Sequence, residues 1–335
     1  MSTFKIQGGF TGLAASTRVR LARNVKGYPY RGLTAEQYKE IADKIWNALQ
    51  TAPAIASDFT MTEIRPNSAE GASLVETHRI SPELAQAGGW LIASRDGGVA
   101  IMIGEEDHMR LQVIGSGLCP KECMEEARRL TALIESQVPM DFDENLGYLT
   151  ACPSNLGTGL RASVMLHLPL LSAAGRIQGV ISAAGRQGFT VRGAYGEGSQ
   201  AVGGFYQISN QVTLGVSEDA IVDKLIELTT EVIEAEKKLR EQARSQNETA
   251  FADRICRAAG VLKTARLIET NEAVDCLSNV LVGLSMGYLS GVSPTEVCDI
   301  EQAIRPAVLG GQPHERDQKR ASLLRQMAAK LVIHE

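Results

Sequence analysis

The sequence lacks carboxylates over one long interval. No Asp or Glu occurs between Glu144 and Glu197, and no Lys either. At the chain-wide frequency of 39 acids in 335 residues, about six would fall there. The only charged side chains inside are Arg161, Arg176, Arg186 and Arg192. A region that keeps arginine and excludes carboxylates suits a multiply anionic ligand, because the guanidinium stays protonated and forks onto phosphate oxygens. The plain alternative is a sheet core with a few surface arginines. The first acid to return, Glu197, stands in Tyr195-Gly196-Glu197-Gly198, where a base for phosphate chemistry could sit beside the cationic stretch.

Other absences narrow the field. The start, Met1-Ser2-Thr3-Phe4-Lys5, has no signal-peptide apolar region. The apolar stretch 280–289 is too short and too interrupted by Gly and Ser to span a bilayer. The chain therefore reads as cytoplasmic, with no membrane partner. A net charge of −5 argues against general nucleic-acid binding. Six cysteines are present, and Cys119 and Cys123 have ligand-like spacing, but no second Cys or His pair answers them. Free thiols are expected rather than zinc or disulfides.

What remains is an ordinary globular balance, 44% hydrophobic and 22% charged, with length enough for two domains. Residues 34–50 read as a helix capped by Thr34, with Ile41, Ile45 and Leu49 on one face. Residues 99–103 and 109–114 read as strands around the acidic turn Glu105-Glu106-Asp107-His108. Pro120 opens a helix over 120–137. Strands are expected at 189–192 and 205–209, and Ser217 begins a long amphipathic helix. The polar run 243–249 marks the expected boundary between a first domain, 1–245, and a helical second domain, 246–335. The class is α+β, a largely antiparallel sheet flanked by helices plus C-terminal helices.

The familiar nucleotide signatures fail. There is no G-x-x-x-x-G-K-[ST] loop. Residues 157–162 fit G-x-G-x-x-A, but a dinucleotide site needs an acid about 20 residues later, and the acid-free interval has none. Four other segments carry the chemistry. Ser16-Thr17-Arg18-Val19-Arg20-Leu21-Ala22-Arg23-Asn24 alternates so that Arg18 and Arg20 project from one strand face. The others are Gly104-Glu105-Glu106-Asp107-His108-Met109-Arg110, Cys152-Pro153-Ser154-Asn155 with its continuation to Val164, and Arg192-Gly193-Ala194-Tyr195-Gly196-Glu197-Gly198-Ser199.

In order and spacing these segments resemble the phosphagen (guanidino) kinase family, and most closely its bacterial branch, protein arginine kinases of the McsB type. The resemblance runs from about Ser16 to the end of the chain. It implies transfer of the ATP γ-phosphoryl group, with Mg²⁺, onto a guanidinium nitrogen. It implies that Arg18, Arg20, Arg110, Arg161 and Arg192 bind the phosphates and the charge developing between them. It implies further nucleotide contacts at Ser16, Thr17 and Val19, at Ala162, Ser163, Val164 and Met165, and at Gly193, Ala194, Tyr195, Gly196 and Glu197. His78 falls where the family has a nucleotide-contacting histidine, although a lone His also reads as structural. Glu106 and Glu197 take the catalytic carboxylate roles, orienting the acceptor guanidinium and accepting its proton, and which of them is the base stays open. Glu105 and Asp107 read as structural or close to the metal. Cys152 matches the family's active-site cysteine against the guanidino group, although alone it would read as a small buried thiol.

Two departures from the small-substrate kinases suggest a protein acceptor. Only 15 residues precede Ser16, so the helical cap that closes over a small substrate is expected to be missing. About ninety residues follow the catalytic region and contain Arg316-Asp317-Gln318-Lys319-Arg320-Ala321. This run resembles the R-D-x-x-R-A phosphoarginine receptor used for allosteric control, with Arg316 and Arg320 four apart on a helix and Asp317 accepting from the ligand. The plain reading is a solvated helix face. The resemblance further implies a homodimer, a small zinc-binding activator, and delivery of labelled proteins to a Clp unfoldase in the stress response. The alternatives are a kinase of a free guanidino compound and a non-catalytic phosphoarginine-binding adaptor.

Overall fold

The computed structural model of the chain describes residues 6–194 and 201–334. It divides into two compact units. The first holds Thr17–Ser163 and Ser209–Ile226 with the residues before Gly9, and the second holds Gly9–Ser16, Val164–Ile208 and Glu227–Glu335. The strands Ala14–Arg23 and Leu160–His167 each contribute residues to both.

The first unit is built on a sheet. Its strands run in the order Leu160–His167, Ala14–Arg23, Met109–Ser116, Val99–Ile103, Gly89–Ser94, Phe59–Ile64, and Ile6–Gln7 pairs in parallel with Met109–Ser116. The last three neighbouring pairs are antiparallel. The expected strands at 99–103 and 109–114 are present and pair directly. Helix Ala35–Gln50 begins where Thr34 accepts from the Gln37 N–H while the Gln37 side chain accepts from the Thr34 N–H, a reciprocal cap. Its predicted apolar face, Ile41, Ile45 and Leu49, is fully buried. Burial of side chains of this size contributes about 1.5–3 kcal/mol each. Helix Pro120–Glu135 starts at the expected proline.

The second unit pairs Phe189–Gly193 with Phe205–Asn210, and the latter with Leu160–His167. The rest is helical apart from the short antiparallel pair Leu289–Ser290 and Val332–Ile333. Glu218–Gln246 runs almost through the polar stretch 243–249, and Asn247 accepts from the Ala250 N–H to start Glu248–Thr264. That stretch is thus a helix end and the cap of the next helix. Helices Thr270–Met286, Pro294–Ala303 and Pro313–Ala328 follow. Their apolar faces share a core with Phe205. The α+β class is the one observed. No helix among the described residues is long and apolar enough to cross a membrane.

One polar network is buried in the second unit. Arg240 Nε donates to Glu236 at 2.9 Å, and its Nη1 donates to Ser285 at 2.6 Å. Arg240 Nη2 donates to the His167 carbonyl at 3.1 Å and reaches His167 Nδ1 at 3.2 Å. His167 Nδ1 is therefore the acceptor, and Nε2 carries the hydrogen donated to Ser278 at 2.7 Å. Glu236 also accepts from the Leu170 and Leu171 N–H groups. Arg240→Ala strands the Glu236 carboxylate without its cation. The expected loss is about 3–5 kcal/mol, measurable as a lower urea midpoint.

Burial, and then the neighbouring Arg240 charge, push the His167 imidazole well below its ordinary value of 6.5. In the unfolded chain the imidazole binds a proton below that pH, whereas in the fold it does not. Stability from this residue is therefore full above about pH 6.5 and falls on acidification, with a slope approaching about 1.4 kcal/mol per pH unit. Urea midpoints measured from pH 7.5 down to 5.5 are expected to decline, and His167→Gln is expected to flatten the decline.

Candidate active site

Three adjacent strands of the first unit each carry arginine in their exposed alternation. Ala14–Arg23 buries Thr17, Val19 and Leu21 completely and leaves Arg18 and Arg20 partly exposed. On one side, Leu160–His167 buries Leu160 and Ala162 and presents Arg161 between them. On the other, Met109–Ser116 buries Met109 and Leu111 and presents Arg110. Period-two alternation thus gathers four guanidinium groups onto one sheet surface.

The electrostatics record that convergence. The Arg20 guanidinium is pushed well below its ordinary range by burial first, then by the charges of Arg18, Arg110 and Arg161, with only Glu105 opposing. Arginine keeps its proton in proteins, so the shift expresses the cost of crowding cations rather than their neutralisation. Arg20 Nε is buried and has no hydrogen-bond partner among the described residues. A buried donor without an acceptor is costly, and an anion arriving at this face would relieve both costs.

The turn Glu105-Glu106-Asp107-His108 divides its groups. Glu105 is buried, ion-paired to Arg110 at 2.7 Å and hydrogen-bonded by Ser81 Oγ. Asp107 is fully buried and accepts three hydrogen bonds. Asn24 Nδ2 (3.0 Å) and the Ala151 N–H (2.7 Å) reach Oδ1, and Asn155 Nδ2 (2.7 Å) reaches Oδ2. His108 Nδ1 accepts from the Val25 N–H at 3.0 Å, its Nε2 meets the Pro29 carbonyl at 2.9 Å, and burial lowers its pKa. Glu106 alone is exposed, 3.6 Å from the exposed Arg31 guanidinium. An exposed pair of that length holds it weakly.

Asp107 thereby ties the end of the arginine strand to the loop that carries Cys152. Cys152 precedes the short turn Pro153–Asn155, is partly exposed, and has Sγ 3.0 Å from Ser154 Oγ. His78 sits at φ +58, a left-handed conformation rare for a side-chain-bearing residue. Its carbonyl accepts from Gln112, two residues beyond Arg110 on the same strand. Thr17 and Ser163, two of the expected nucleotide contacts, are buried. Thr17 Oγ1 donates to the Gly117 carbonyl and Ser163 Oγ to the Arg18 carbonyl, so their side chains serve the scaffold.

The remaining expected residues belong to the second unit. Ser16, Val164, Met165, Arg192, Gly193 and Ala194 lie there. Arg192 is exposed on Phe189–Gly193, and the Ala194 N–H donates to the Phe205 carbonyl at 2.8 Å. Tyr195, Gly196 and Glu197 lie outside the described residues. On helix Pro313–Ala328, Arg316 is partly exposed and donates to the Gly311 carbonyl. Arg320 is buried and donates to the carbonyls of Ile304 (3.1 Å) and Ile268 (2.8 Å) and to Asp317 (2.6 Å). Of the two arginines of this motif, Arg316 is the more accessible. Arg320 is taken up by the fold because its guanidinium satisfies carbonyls at two chain turns.

Cys119 and Cys123 are buried with their sulfurs 3.8 Å apart. Among the described residues no group of three or more His, Cys, Asp or Glu side chains is arranged to hold a metal.

Residues 39–239 match the model of the ATP:guanido phosphotransferase catalytic domain. The chain belongs to that family. Within this phosphotransferase, residues 248–333 match the C-terminal domain model of the protein-arginine kinase McsB. A protein-arginine kinase of Bacillus cereus (strain G9842) is 38% identical over 334 residues, covering 96% of this chain and 94% of the relative. One from Caldanaerobacter subterraneus subsp. tengcongensis is 40% identical over 319 residues, covering 91% and 94%. Among solved structures, the lombricine kinase structure superposes with a TM-score of 0.59 at 28% identity, covering 71% of this chain and 70% of that one. The duplicated taurocyamine kinase of Schistosoma mansoni, with bound transition-state analogue components, gives 0.60 at 26%, covering 76% and 39%.

The reading of the motifs missed the supporting layer: Asn24, Ser81, Asp107 as an anchor, and Asn155. Asn24 and Asn155 both stood inside the quoted segments, but only the fold shows that they converge on one carboxylate. Asp107→Ala removes the acceptor of three hydrogen bonds, one from buried Asn24 and two from partly buried Ala151 and Asn155. It is expected to lower stability by about 2–4 kcal/mol and to lower kcat more than it raises the KM for ATP. Thermal melts and steady-state kinetics check both.

Proposed function

We propose that this phosphotransferase is a protein arginine kinase, transferring the γ-phosphoryl group of ATP to arginine side chains in other proteins. The observation that carries the reading is the convergence of Arg18, Arg20, Arg110 and Arg161 around a buried, unpartnered Arg20 Nε. That surface is made for several phosphate oxygens. ATP enters as its Mg²⁺ complex, with the ion on the triphosphate oxygens and the arginines taking the remaining charge. Arg192, the segment 193–197 and His78 are the further proposed nucleotide contacts.

The acceptor guanidinium is protonated at neutral pH and must lose a proton as the N–P bond forms. Glu106 is the carboxylate of its turn not taken up by buried bonds. With Glu197 it holds the planar acceptor, and one of the two carboxylates receives the proton. Cys152, fixed through the Asp107 anchor, lies against the acceptor.

The catalytic domain is 1–245 and the domain 246–335 serves dimerisation and regulation. In the latter, Arg316 and Asp317 would meet a phosphoarginine ligand while Arg320 orients Asp317. The phosphoarginine label marks proteins in the cytoplasm for a Clp-type unfoldase under stress, with a zinc-binding activator as a further partner. A second reading, a kinase of a free guanidino compound, draws support from the taurocyamine and lombricine kinase structures that share the fold.

Incubation with Mg-ATP and an arginine-containing protein is expected to give acid-labile, base-stable phosphate on arginine, seen by mass spectrometry under non-acidic handling. Label on free arginine alone would establish the second reading instead. Glu106→Gln and Glu197→Gln are each expected to cut kcat by roughly 10²-fold or more while nucleotide binding persists. Binding without any turnover in the unsubstituted chain would leave an adaptor.

A further inference from the structure

Large apolar side chains are exposed at nine described positions, and five of these fall in two short segments. Phe142 and Leu146 belong to the hairpin of Phe142–Asp143 and Gly147–Tyr148. Val212, Leu214 and Val216 belong to the loop before helix Glu218–Gln246. Their exposures run from 37% for Val216 to 58% for Phe142.

Both segments lie in the first unit, and both abut the Cys152 loop. The Tyr148 and Gly157 N–H groups each donate to the other's carbonyl. The Thr158 N–H donates to the Thr213 carbonyl, and Thr213 Oγ1 donates to the carbonyls of Ser154 (3.1 Å) and Leu156 (2.8 Å). The approach is close. A methyl group on Gly157 would lie 2.9 Å from the Leu214 Cα, and one on Gly147 would lie 2.5 Å from the Gly157 carbonyl oxygen. Residue 157 is therefore a glycine, at φ +104, and the hairpin and the loop flank it.

The hairpin is held firmly. The Arg23 guanidinium stacks 3.4 Å from the Tyr148 ring centre, and Tyr148 Oη donates to Glu135 at 3.0 Å. Phe142 rests edge-on against Tyr148, and Asp143 closes the tip by accepting from the Asn145 and Leu146 N–H groups. An aromatic presented on an anchored hairpin costs little to order on binding.

Charge narrows the occupant. Residues 141–146 read Asp-Phe-Asp-Glu-Asn-Leu, and residues 211–219 read Gln-Val-Thr-Leu-Gly-Val-Ser-Glu-Asp. They hold five acids and no Lys or Arg. Glu218 and Asp219 are paired with Arg128, so the negative charge offered to a partner is that of the hairpin acids Asp141, Asp143 and Glu144. We infer that these segments form a docking surface for an unstructured, cationic polypeptide, the stretch of a substrate protein flanking its acceptor arginine. The inference rests on the proposed acceptor class and deepens it. Apolar residues of the bound stretch would pack on Phe142 and Leu214 while its basic residues face the acids. The surface begins within two residues of Cys152, so an acceptor arginine can reach the site while its neighbours dock.

The test compares two acceptors, a disordered arginine-containing polypeptide and a capped arginine tripeptide too short to reach the surface. Phe142→Ser/Leu214→Ser alters exposed side chains outside the proposed catalytic groups. It is expected to lower kcat/KM for the polypeptide about five- to tenfold through KM, with the tripeptide reaction and the KM for ATP changed less than about twofold. Equal loss on both acceptors, or no loss on either, overturns the inference. So does a smaller assembly in sedimentation with both reactions unchanged, which would make this face a contact between copies. Fluorescence anisotropy of a labelled arginine-containing disordered peptide, without ATP, separates the two readings. A chain that phosphorylates neither acceptor but loses five- to tenfold binding in the variant retains the docking surface and loses the proposed activity. Equal peptide binding by both forms overturns the surface.

Discussion

Like charges repel, and this fold forces four of them together. Arg18, Arg20, Arg110 and Arg161 come from three neighbouring strands whose alternation leaves them no other face. The strands are fixed because their other face is buried, with Val19, Leu21, Leu111, Leu160 and Ala162 at zero or near-zero exposure. A one-residue slip in register would bury an arginine and expose a core side chain. Hydrophobic burial thus stabilises an arrangement that electrostatics alone would disperse. The cost of the crowding falls when a polyanion binds, so affinity for phosphate is built in before any ligand arrives.

A second layer keeps this surface in register with the acceptor side. Asp107 takes hydrogen bonds from Asn24, Ala151 and Asn155, and Glu105 locks Arg110 to the turn. The arginine strand, the acidic turn and the Cys152 loop are therefore bonded to one another through these two carboxylates. Transfer chemistry is steeply sensitive to misplacement, and buried, multiply bonded carboxylates are the device that limits it here. Glu106 stays exposed because its turn neighbours Glu105 and Asp107 make the buried bonds.

Much of this was readable in the amino-acid order. The Thr34 cap, the Ile41, Ile45 and Leu49 face, the paired strands around residues 104–108 and the alternation of Arg18 with Arg20 follow from local periodicity, which is written in one segment at a time. The convergence on Asp107 was not readable. Its partners lie 83, 44 and 48 positions away in sequence, and no local pattern links them. The polar run 243–249, which composition marks as a break, ends one helix and caps the next at Asn247.

Arginine burial separates roles that residue type cannot. Arg23, Arg240 and Arg320 are each almost wholly inaccessible, and each spends its donors on carbonyls and carboxylates of the chain. Such a guanidinium is a rivet, because releasing it to a ligand would strand several buried acceptors at once. Arg18, Arg20, Arg110 and Arg161 keep partial exposure, and Arg20 Nε has no hydrogen-bond partner among the described residues. Arg320 illustrates the difference: residue type and spacing pair it with Arg316, whereas the fold also sets it against the carbonyls of Ile268 and Ile304 and against Asp317, which ties this helix to the packing of its neighbours.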